Sequence, residues 1–178
     1  SFKLPDTNGK TVSLADYKGK FVVLEWVNFD CPFVGKHYGS GNMQKLQQTY
    51  TQKGVVWLSV ISSAPGKQGY ADGERANALT KDRGAHPSAV LLDPAGQVGR
   101  AYGAKTTPHM FVIDTAGKLV YEGGIDDKPS TDQADIAEIF GAPDEHGNFV
   151  IGYTREQNHP VCINLEKFIQ RSSGVFGA

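Results

Sequence analysis

The chain has 178 residues, of which 39% are apolar and 21% charged, and its formal net charge is −1. These values are ordinary for a globular domain with a substantial core, and they give no electrostatic reason to expect binding to nucleic acid or to an anionic membrane surface. No apolar run approaches the roughly 18–20 residues that span a bilayer, so we expect no membrane insertion.

A tight turn and short extended pieces begin the chain. Residues 6–10 (DTNGK) predict a hairpin turn, because Asn-Gly accepts the positive φ that such turns require. Residues 11–14 are the predicted return strand, and Ser13 is the predicted N-cap of a short helical turn. We therefore expect an N-terminal hairpin ahead of the main fold.

Two nearly continuous apolar runs follow, at residues 21–27 and 55–61. Runs of this kind predict strands buried on both faces, as in a parallel sheet. Residues 34–50 between them are predicted to be helical, and Gly39 and Gly41 weaken the helix enough for a break there.

The alternation of strands and helices continues to about residue 140. The further predicted elements are a helix at 71–82, a strand at 89–93, a short helix at 98–102, a hairpin of strands 109–114 and 118–123, and a helix at 132–140. Strands that alternate with helices and end in a hairpin indicate an α/β sheet of mixed direction.

The last part of the chain has a different texture. Residues 141–178 contain a turn cluster, a predicted strand at 149–153 and a predicted short helix at 165–171. We therefore expect one domain over residues 1–140 and a C-terminal extension, 141–178, packed on or near it.

Cys31 lies where the first apolar strand gives way to a helix, and Pro32 suits the first helical position because it has no amide hydrogen to leave unsatisfied. In open α/β sheets the functional crevice lies outside the carboxyl ends of the strands. The free amides and the dipole of a helix amino end stabilise an anion, which favours a thiolate. The sequence therefore predicts a partly exposed, reactive cysteine; the alternative is a free cysteine that only packs.

A series of short motifs in fixed order surrounds this cysteine. They are Phe2-x-Leu4-x-Asp6-x-x-Gly9, Ser13-Leu14, Lys18-Gly19-Lys20, Val22-Val23-Leu24, Cys31-Pro32, Tyr102-Gly103, Thr107-Pro108 and Phe111-Val112-Ile113-Asp114-x-x-Gly117. Over residues 2–135 the chain resembles the thioredoxin-fold redoxins, which include the peroxiredoxin-like (AhpC/TSA-type) proteins and their membrane-anchored thioredoxin relatives. The resemblance implies a thioredoxin-like α/β fold: a mixed central sheet flanked by helices, here with an N-terminal hairpin extension and a C-terminal appendage.

The resemblance also implies roles for individual residues. Cys31 matches the family's attacking thiol, and Pro108 matches the cis-proline that faces it, with the Thr107 backbone beside the substrate groove. Glu25, six residues before Cys31, matches the buried acid of thioredoxins. A buried carboxylate would have a raised pKa and could relay a proton; the alternative is a solvated glutamate.

The chain departs from both parent patterns around the cysteine. Val34 replaces the second cysteine of a thioredoxin CxxC motif, so that disulfide cannot form. Asn28 and Leu24 stand where a typical peroxiredoxin has threonine and proline, and Pro108 stands where it has an activating arginine. Asn28 could still donate a hydrogen bond to a peroxide or to the thiolate, but charge-assisted activation of the leaving oxygen needs another group.

Other groups could complete the site. Arg100 and His109 are the candidates nearest in sequence for the missing positive charge. Cys162 could be a resolving thiol that converts a sulfenic acid on Cys31 into a reducible disulfide; alternatively, it is an unrelated thiol. Cys31, His109 and the pair His159-x-x-Cys162 could in principle bind copper or zinc, but we expect no metal and no cofactor.

The sequence thus predicts a thiol-dependent oxidoreductase of the peroxiredoxin-like type, with an antioxidant role in redox homeostasis. Its substrate would be a hydroperoxide or a disulfide, and an external thiol would be its reductant. The candidate catalytic residues are Cys31, Asn28, Glu25, Thr107, Pro108 and Cys162. The alternative is a non-catalytic binding module that holds a metal or a partner protein. The sequence does not fix the compartment, although an extracytoplasmic (periplasmic) location is favoured over a cytoplasmic one.

Overall fold

The computed structural model describes residues 1–126 and 128–136, together with the backbone of residues 149–153 and 160–163. The strands are β1 Lys3–Pro5, β2 Thr11–Ser13, β3 Val22–Trp26, β4 Val56–Ile61, β5 Ala89–Leu92, β6 His109–Ile113, β7 Leu119–Gly123, β8 Phe149–Tyr153 and β9 Pro160–Ile163. The helices are α1 Pro32–Gly39, α2 Asn42–Gln52, α3 Gly73–Asp82 and α4 Gln97–Tyr102, and a short 3-10 helix at Leu14–Tyr17 follows β2. Among these described helices, none combines the length and the apolar character needed to cross a bilayer.

Five strands form the central sheet, in the order β5-β4-β3-β6-β7. β3, β4 and β5 run parallel, whereas β6 is antiparallel to β3 and β7 is antiparallel to β6. The structure therefore confirms the predicted α/β sheet of mixed direction with helices on its faces.

Each face of the sheet carries its own core, which explains the continuous apolar runs. In β3, Val23 and Glu25 lie on the face that α1, α2 and α3 cover, and all five residues of the strand are buried. Val22, Leu24 and Trp26 lie on the opposite face, under the N-terminal hairpin and α4. Both faces are covered, as the apolar pattern predicts.

The N-terminal hairpin has the predicted turn. β1 pairs with β2 in antiparallel register, and Asp6 Oδ1 accepts hydrogen bonds from the amides of Asn8 (2.9 Å) and Lys10 (2.8 Å). Gly9 has a φ of 82°, which lies in the left-handed region that the turn requires. Ser13 caps the 3-10 helix, so both predictions for this segment are confirmed.

The helix predicted over residues 34–50 is two helices. α1 begins at Pro32 and ends at Gly39, and α2 begins at Asn42. Gly41 between them has a φ of 77°, which residues with a side chain rarely adopt, and the chain turns there. The break lies where the sequence predicts a weak helix, and it makes α1 a short element of its own.

The helix predicted over residues 132–140 is wrong in its described part. Residues 132–136 contain a turn instead of a helix. Ser130 Oγ accepts a hydrogen bond from Asp132 N (3.0 Å), and Asp132 Oδ1 accepts one from Ala134 N (2.9 Å). Short polar side chains that bind nearby amides in this way compete with helix formation. Residues 137–140 lie outside the described part of the chain.

Two more strands lie towards the end of the chain. β8 confirms the strand predicted at 149–153, whereas β9 has no counterpart among the predicted elements and pairs with β8 in antiparallel register. Cys162 lies in β9 opposite Val150, and its side chain is outside the described residues. The predicted helix at 165–171 is also outside them, and the predicted boundary between residues 140 and 141 stays a prediction.

Candidate active site

The amino end of α1 places Cys31 just beyond the carboxyl end of β3. Cys31 is the N-cap of α1 and Pro32 is its first residue, as the sequence predicts. The amide of Cys31 donates to Asn28 O (3.0 Å), which closes the turn between β3 and α1. The side chain of Cys31 is partly exposed and makes no capping hydrogen bond to the first turn of α1.

The sulfur of Cys31 faces the loop that precedes β6. Cys31 Sγ lies 3.2 Å from the carbonyl oxygen of Thr107, to which the thiol donates a hydrogen bond. The peptide bond between Thr107 and Pro108 is cis, in agreement with the sequence prediction. β3 and β6 are antiparallel neighbours with Trp26 opposite His109, so the end of one strand meets the start of the other. This register brings Cys31 and the cis peptide bond together.

Asn28 organises the turn before Cys31. Its Oδ1 accepts a hydrogen bond from Asp30 N (2.9 Å), and its Nδ2 donates to Gln68 O (3.4 Å) in the loop after β4. Asp30 Oδ2 accepts a further hydrogen bond from Gly69 N (2.8 Å). A Cβ atom at Gly69 would collide with the Asn28 side chain, so the loop approaches this closely because residue 69 is glycine. The predicted hydrogen bond from Asn28 to a substrate stays a prediction.

Glu25 lies inside the core and is fully buried, so the alternative of a solvated glutamate is wrong. Its carboxylate accepts four side-chain hydrogen bonds. They come from Tyr38 Oη (2.9 Å), Gln47 Nε2 (3.1 Å), Trp57 Nε1 (2.8 Å) and Ser59 Oγ (2.9 Å). Burial raises the pKa of Glu25, and these four donors oppose the rise because they stabilise the carboxylate.

The four donors to Glu25 belong to three different elements. Tyr38 lies in α1, Gln47 in α2, and the remaining two in β4. A buried carboxylate with this many donors fastens the two helices to the sheet. Among the described residues no hydrogen bond joins this network to the sulfur of Cys31, and the proton relay through Glu25 stays a prediction.

Arg83 is a residue of this region that sequence reasoning did not find. Its Nη2 donates to the carbonyl oxygen of Phe29 (2.5 Å), two residues before Cys31. Its guanidinium carbon lies 4.9 Å from the centroid of the Phe29 ring and 5.5 Å from that of Tyr38. The only local signal is an arginine just before Gly84 at the end of a predicted helix, which is common and does not indicate a site.

A second polar cluster lies on α1. Lys36 Nζ lies 2.7 Å and His37 Nε2 3.2 Å from Asp126 Oδ2, and both helical residues are almost completely buried. Asn42 Nδ2 lies 2.9 Å from His37 Nδ1. Burial lowers the pKa of His37, Lys36 lowers it further, and Asp126 opposes both effects. The cluster fastens the segment after β7 to α1.

The two candidates for the missing positive charge are engaged elsewhere. Arg100 Nη2 donates to Ala95 O (3.0 Å). His109 stacks on Phe111 with ring centroids 4.5 Å apart, its Nδ1 accepts from Lys105 N (3.3 Å), and burial lowers its pKa. Neither contact involves Cys31.

The suggested metal site cannot be assembled from described residues alone. Within residues 1–126 and 128–136 there is no group of three His, Cys, Asp or Glu side chains that could hold a metal ion. His159 and the side chain of Cys162, which belong to the suggested set, lie outside the described residues.

A partly exposed cysteine at the N-cap position of a helix, after a central strand and opposite a cis-proline, is the arrangement of the thioredoxin-like redox proteins. Residues 1–122 match the AhpC/TSA family model, and the chain belongs to that family. The resemblance seen in the sequence is thereby confirmed for the redoxin family and for the thioredoxin-like fold.

Relatives with assigned names agree with this class. The chain is 28% identical over 122 residues to the thiol-disulfide oxidoreductase ResA of Bacillus thuringiensis and of Bacillus cereus. The match covers 68% of this chain and 65% of each relative, slightly under two thirds of their length.

Solved structures give the same fold. An uncharacterised conserved protein from Geobacillus kaustophilus has a TM-score of 0.64 and 28% identity, with 71% of this chain and 67% of that chain covered. The exposed lipoprotein thioredoxin of Streptococcus pneumoniae has a TM-score of 0.50 and 30% identity, with 68% of this chain and 86% of that chain covered.

Proposed function

We propose that the protein is a thiol oxidoreductase in which the Cys31 thiolate attacks a hydroperoxide or a disulfide. The observation that carries the proposal is the position of the Cys31 sulfur, partly exposed at the amino end of α1 and 3.2 Å from the carbonyl of the cis Thr107-Pro108 unit. The first amides of α1 after Pro32 are not capped by the Cys31 side chain, and they can stabilise negative charge on the sulfur or on a departing oxygen.

With a hydroperoxide ROOH, the Cys31 thiolate attacks the terminal oxygen and the O–O bond breaks. The sulfur is oxidised to a sulfenic acid, and the departing alkoxide takes a proton to become ROH. A thiol then displaces water from the sulfenic acid and forms a disulfide with Cys31, and a second thiol reduces that disulfide. This cycle would give the protein an antioxidant role.

With a disulfide RSSR, the Cys31 thiolate attacks one sulfur, forms a mixed disulfide and releases RS⁻. Val34 is fully buried in α1, three residues after Cys31, and supplies no second thiol to complete the exchange. The mixed disulfide must therefore be opened by Cys162 or by an external thiol. The peroxide reaction and the disulfide reaction both need a further thiol to regenerate Cys31. We therefore expect a thiol reductant as the partner.

We also place the protein outside the cytoplasm. The support is the description of the pneumococcal relative as an exposed lipoprotein. An extracytoplasmic location fits a disulfide substrate, because disulfides persist in oxidising compartments.

The test is mass spectrometry of Cys31 after exposure to hydrogen peroxide or to oxidised glutathione, with Cys31→Ser and Cys162→Ser as matched variants. We expect peroxide to give a sulfenic acid at Cys31 that dimedone traps, or oxidised glutathione to give a mixed disulfide there. A bond between residues 31 and 162 would assign Cys162 the resolving role, and trapping that is unchanged in Cys162→Ser would assign that role to an external thiol. A Cys31 that reacts with neither reagent would overturn the proposal in favour of a binding module.

A further inference from the structure

The guanidinium of Arg83 is half-buried and makes no ion pair among the described residues. It lies against the faces of Phe29 and Tyr38, and its hydrogen-bond acceptor is the neutral carbonyl of Phe29. Its Nη1 atom is buried and has no hydrogen-bond partner among the described residues. The ion pairs that Lys36 and His37 form with Asp126 do not include Arg83. Arg83 as a whole is half-buried, but a buried side-chain nitrogen ordinarily has a hydrogen-bond partner, so Nη1 is unusual.

The backbone of Arg83 is held independently of its side chain. Gln44 Nε2 in α2 donates to the carbonyl oxygens of both Arg83 (2.6 Å) and Tyr38 (2.8 Å), and so fastens the end of α3 to the end of α1. The guanidinium therefore approaches the turn before Cys31 from a fixed base.

The same turn is held from another direction by the loop after β4. Gln68 Nε2 donates to Asp30 O (3.3 Å), and Gly69 N donates to the Asp30 carboxylate (2.8 Å). Asp30 directly precedes Cys31 in the chain, and its carboxylate accepts its hydrogen bond from the loop after β4. The positively charged guanidinium of Arg83 binds the same turn one residue earlier, at the carbonyl oxygen of Phe29.

We propose that Arg83 is a positioning residue for Cys31: it fixes the Phe29 carbonyl and adds a positive charge near the sulfur. The proposal rests on the proposed function in one respect, because it treats Cys31 as the reacting thiol. In the peroxiredoxin pattern, an arginine at the position of Pro108 supplies a positive charge. In this protein the positive charge would come from a different element, at the end of α3. The charge acts at a distance, since the guanidinium donates to the Phe29 carbonyl while the sulfur donates to the Thr107 carbonyl.

The distance is short enough for the charge to be felt. Two peptide units separate Phe29 from Cys31, so their Cα atoms lie within about 7.6 Å of each other. A charge about 10 Å away changes the reactivity of a thiol towards charged reagents, provided that the ionic strength is low.

The test compares alkylation of Cys31 by iodoacetate, an anion, with alkylation by neutral iodoacetamide, in the full chain at low ionic strength. We expect Arg83→Met to lower the ratio of the two rates about two- to fourfold, because the anionic reagent loses an attractive charge. Arg83→Lys keeps the charge and should keep most of the ratio. Arg75→Met is the matched control, because Arg75 is an exposed arginine of α3, the helix that Arg83 follows, and it should leave the ratio unchanged.

A merely structural role would slow both reagents equally and leave the ratio as it is, and that outcome would overturn the proposal. Should Arg83→Met fail to fold, Arg83→Gln removes the charge and retains an N–H donor for Phe29, and the same ratio applies. Alkylation needs neither peroxide nor disulfide turnover. A lowered ratio in a protein that turns over neither substrate would therefore uphold this inference while the proposed function fails.

Discussion

The two halves of α1 differ although they belong to one short helix. At its amino end Cys31 is partly exposed and Phe33 is 40% exposed. In its carboxyl half Lys36, His37 and Tyr38 are all buried. One end of the helix is thus open to a substrate while the other end is enclosed, and the enclosed end is unusually polar for a buried surface.

The polar groups of the enclosed half are all used as anchors. Lys36 and His37 bind Asp126 in the segment after β7, and Tyr38 donates to the buried carboxylate of Glu25. A reacting group is precise only when the element that carries it is held by its neighbours. The helix can therefore leave its first turn open because its last turns are held by these contacts.

Breaking the ion pair of Lys36 should have the largest effect on stability. The Lys36 side chain is 0% exposed and that of Asp126 is 9% exposed. Lys36→Met leaves the Asp126 carboxylate with His37 as its remaining described partner. Removing one partner of a buried pair costs about 3 kcal/mol, which we expect as the loss in the free energy of unfolding measured in urea.

Two further variants sharpen that result. Lys118→Met removes an exposed lysine in the turn between β6 and β7 and should change the free energy of unfolding by less than about 0.5 kcal/mol. Lys36→Met combined with Asp126→Leu removes both charges and should recover part of the loss. Equal effects of Lys36→Met and Lys118→Met would contradict the idea that the carboxyl half of α1 is fastened by charge.

The open half of α1 could be predicted from the sequence, and most of the enclosed half could not. The apolar strand, Cys31, Pro32 and the Thr107-Pro108 pair lie in short motifs whose local chemistry specifies their placement. Lys36 and Asp126 lie 90 residues apart, so no local pattern indicates that they meet. Arg83 escaped prediction for the same reason, since its contact with Phe29 spans 54 residues.

Local chemistry also explains where the predicted elements are right or wrong. Gly41 adopts a positive φ and divides the predicted helix 34–50, a break that the glycine content predicts. Asp132 has the residue type of a helix N-cap, but its side chain closes a single turn with Ala134. An N-cap residue predicts a helix only when an apolar helix face that can be buried follows it. Residues 132–136, the described part of this segment, contain no such face.

The pH dependence of stability should show the next largest effect, through His37. Its Nε2 faces the Asp126 carboxylate and its Nδ1 faces the Asn42 amide, so the neutral ring with a proton on Nε2 satisfies both contacts. Burial lowers the pKa of His37 in the folded protein. The unfolded chain therefore takes up the proton first as the pH falls below about 6.5, and stability decreases by up to about 1.4 kcal/mol per pH unit until the folded state also protonates.

Urea unfolding of wild type and His37→Gln between pH 7.5 and 5.5 measures this effect. We expect the variant to lose less stability over that range, because it lacks the group that protonates. Burial also lowers the pKa of His109 and raises that of Glu25, but both contribute equally to the two proteins and cancel in the difference. His86→Gln is the control, since His86 is exposed, and it should follow wild type. Parallel curves for wild type and His37→Gln would rule out this role.

The smallest effect should come from Phe33 in the open half; the buried Phe29, which lies at the same distance from Cys31 in the chain, is its control. Phe33 is 40% exposed and Phe29 only 6%, so truncation to alanine should cost less than about 0.5 kcal/mol at Phe33 and about 3 kcal/mol at Phe29. Urea unfolding gives both values, and iodoacetamide gives the accessibility of Cys31, which Phe33→Ala should leave unchanged. Because the two side chains are identical, a similar loss at both positions would mean that the first turn of α1 is as firmly enclosed as the rest. Cys31 would then be the one accessible residue at the amino end of α1 among those compared.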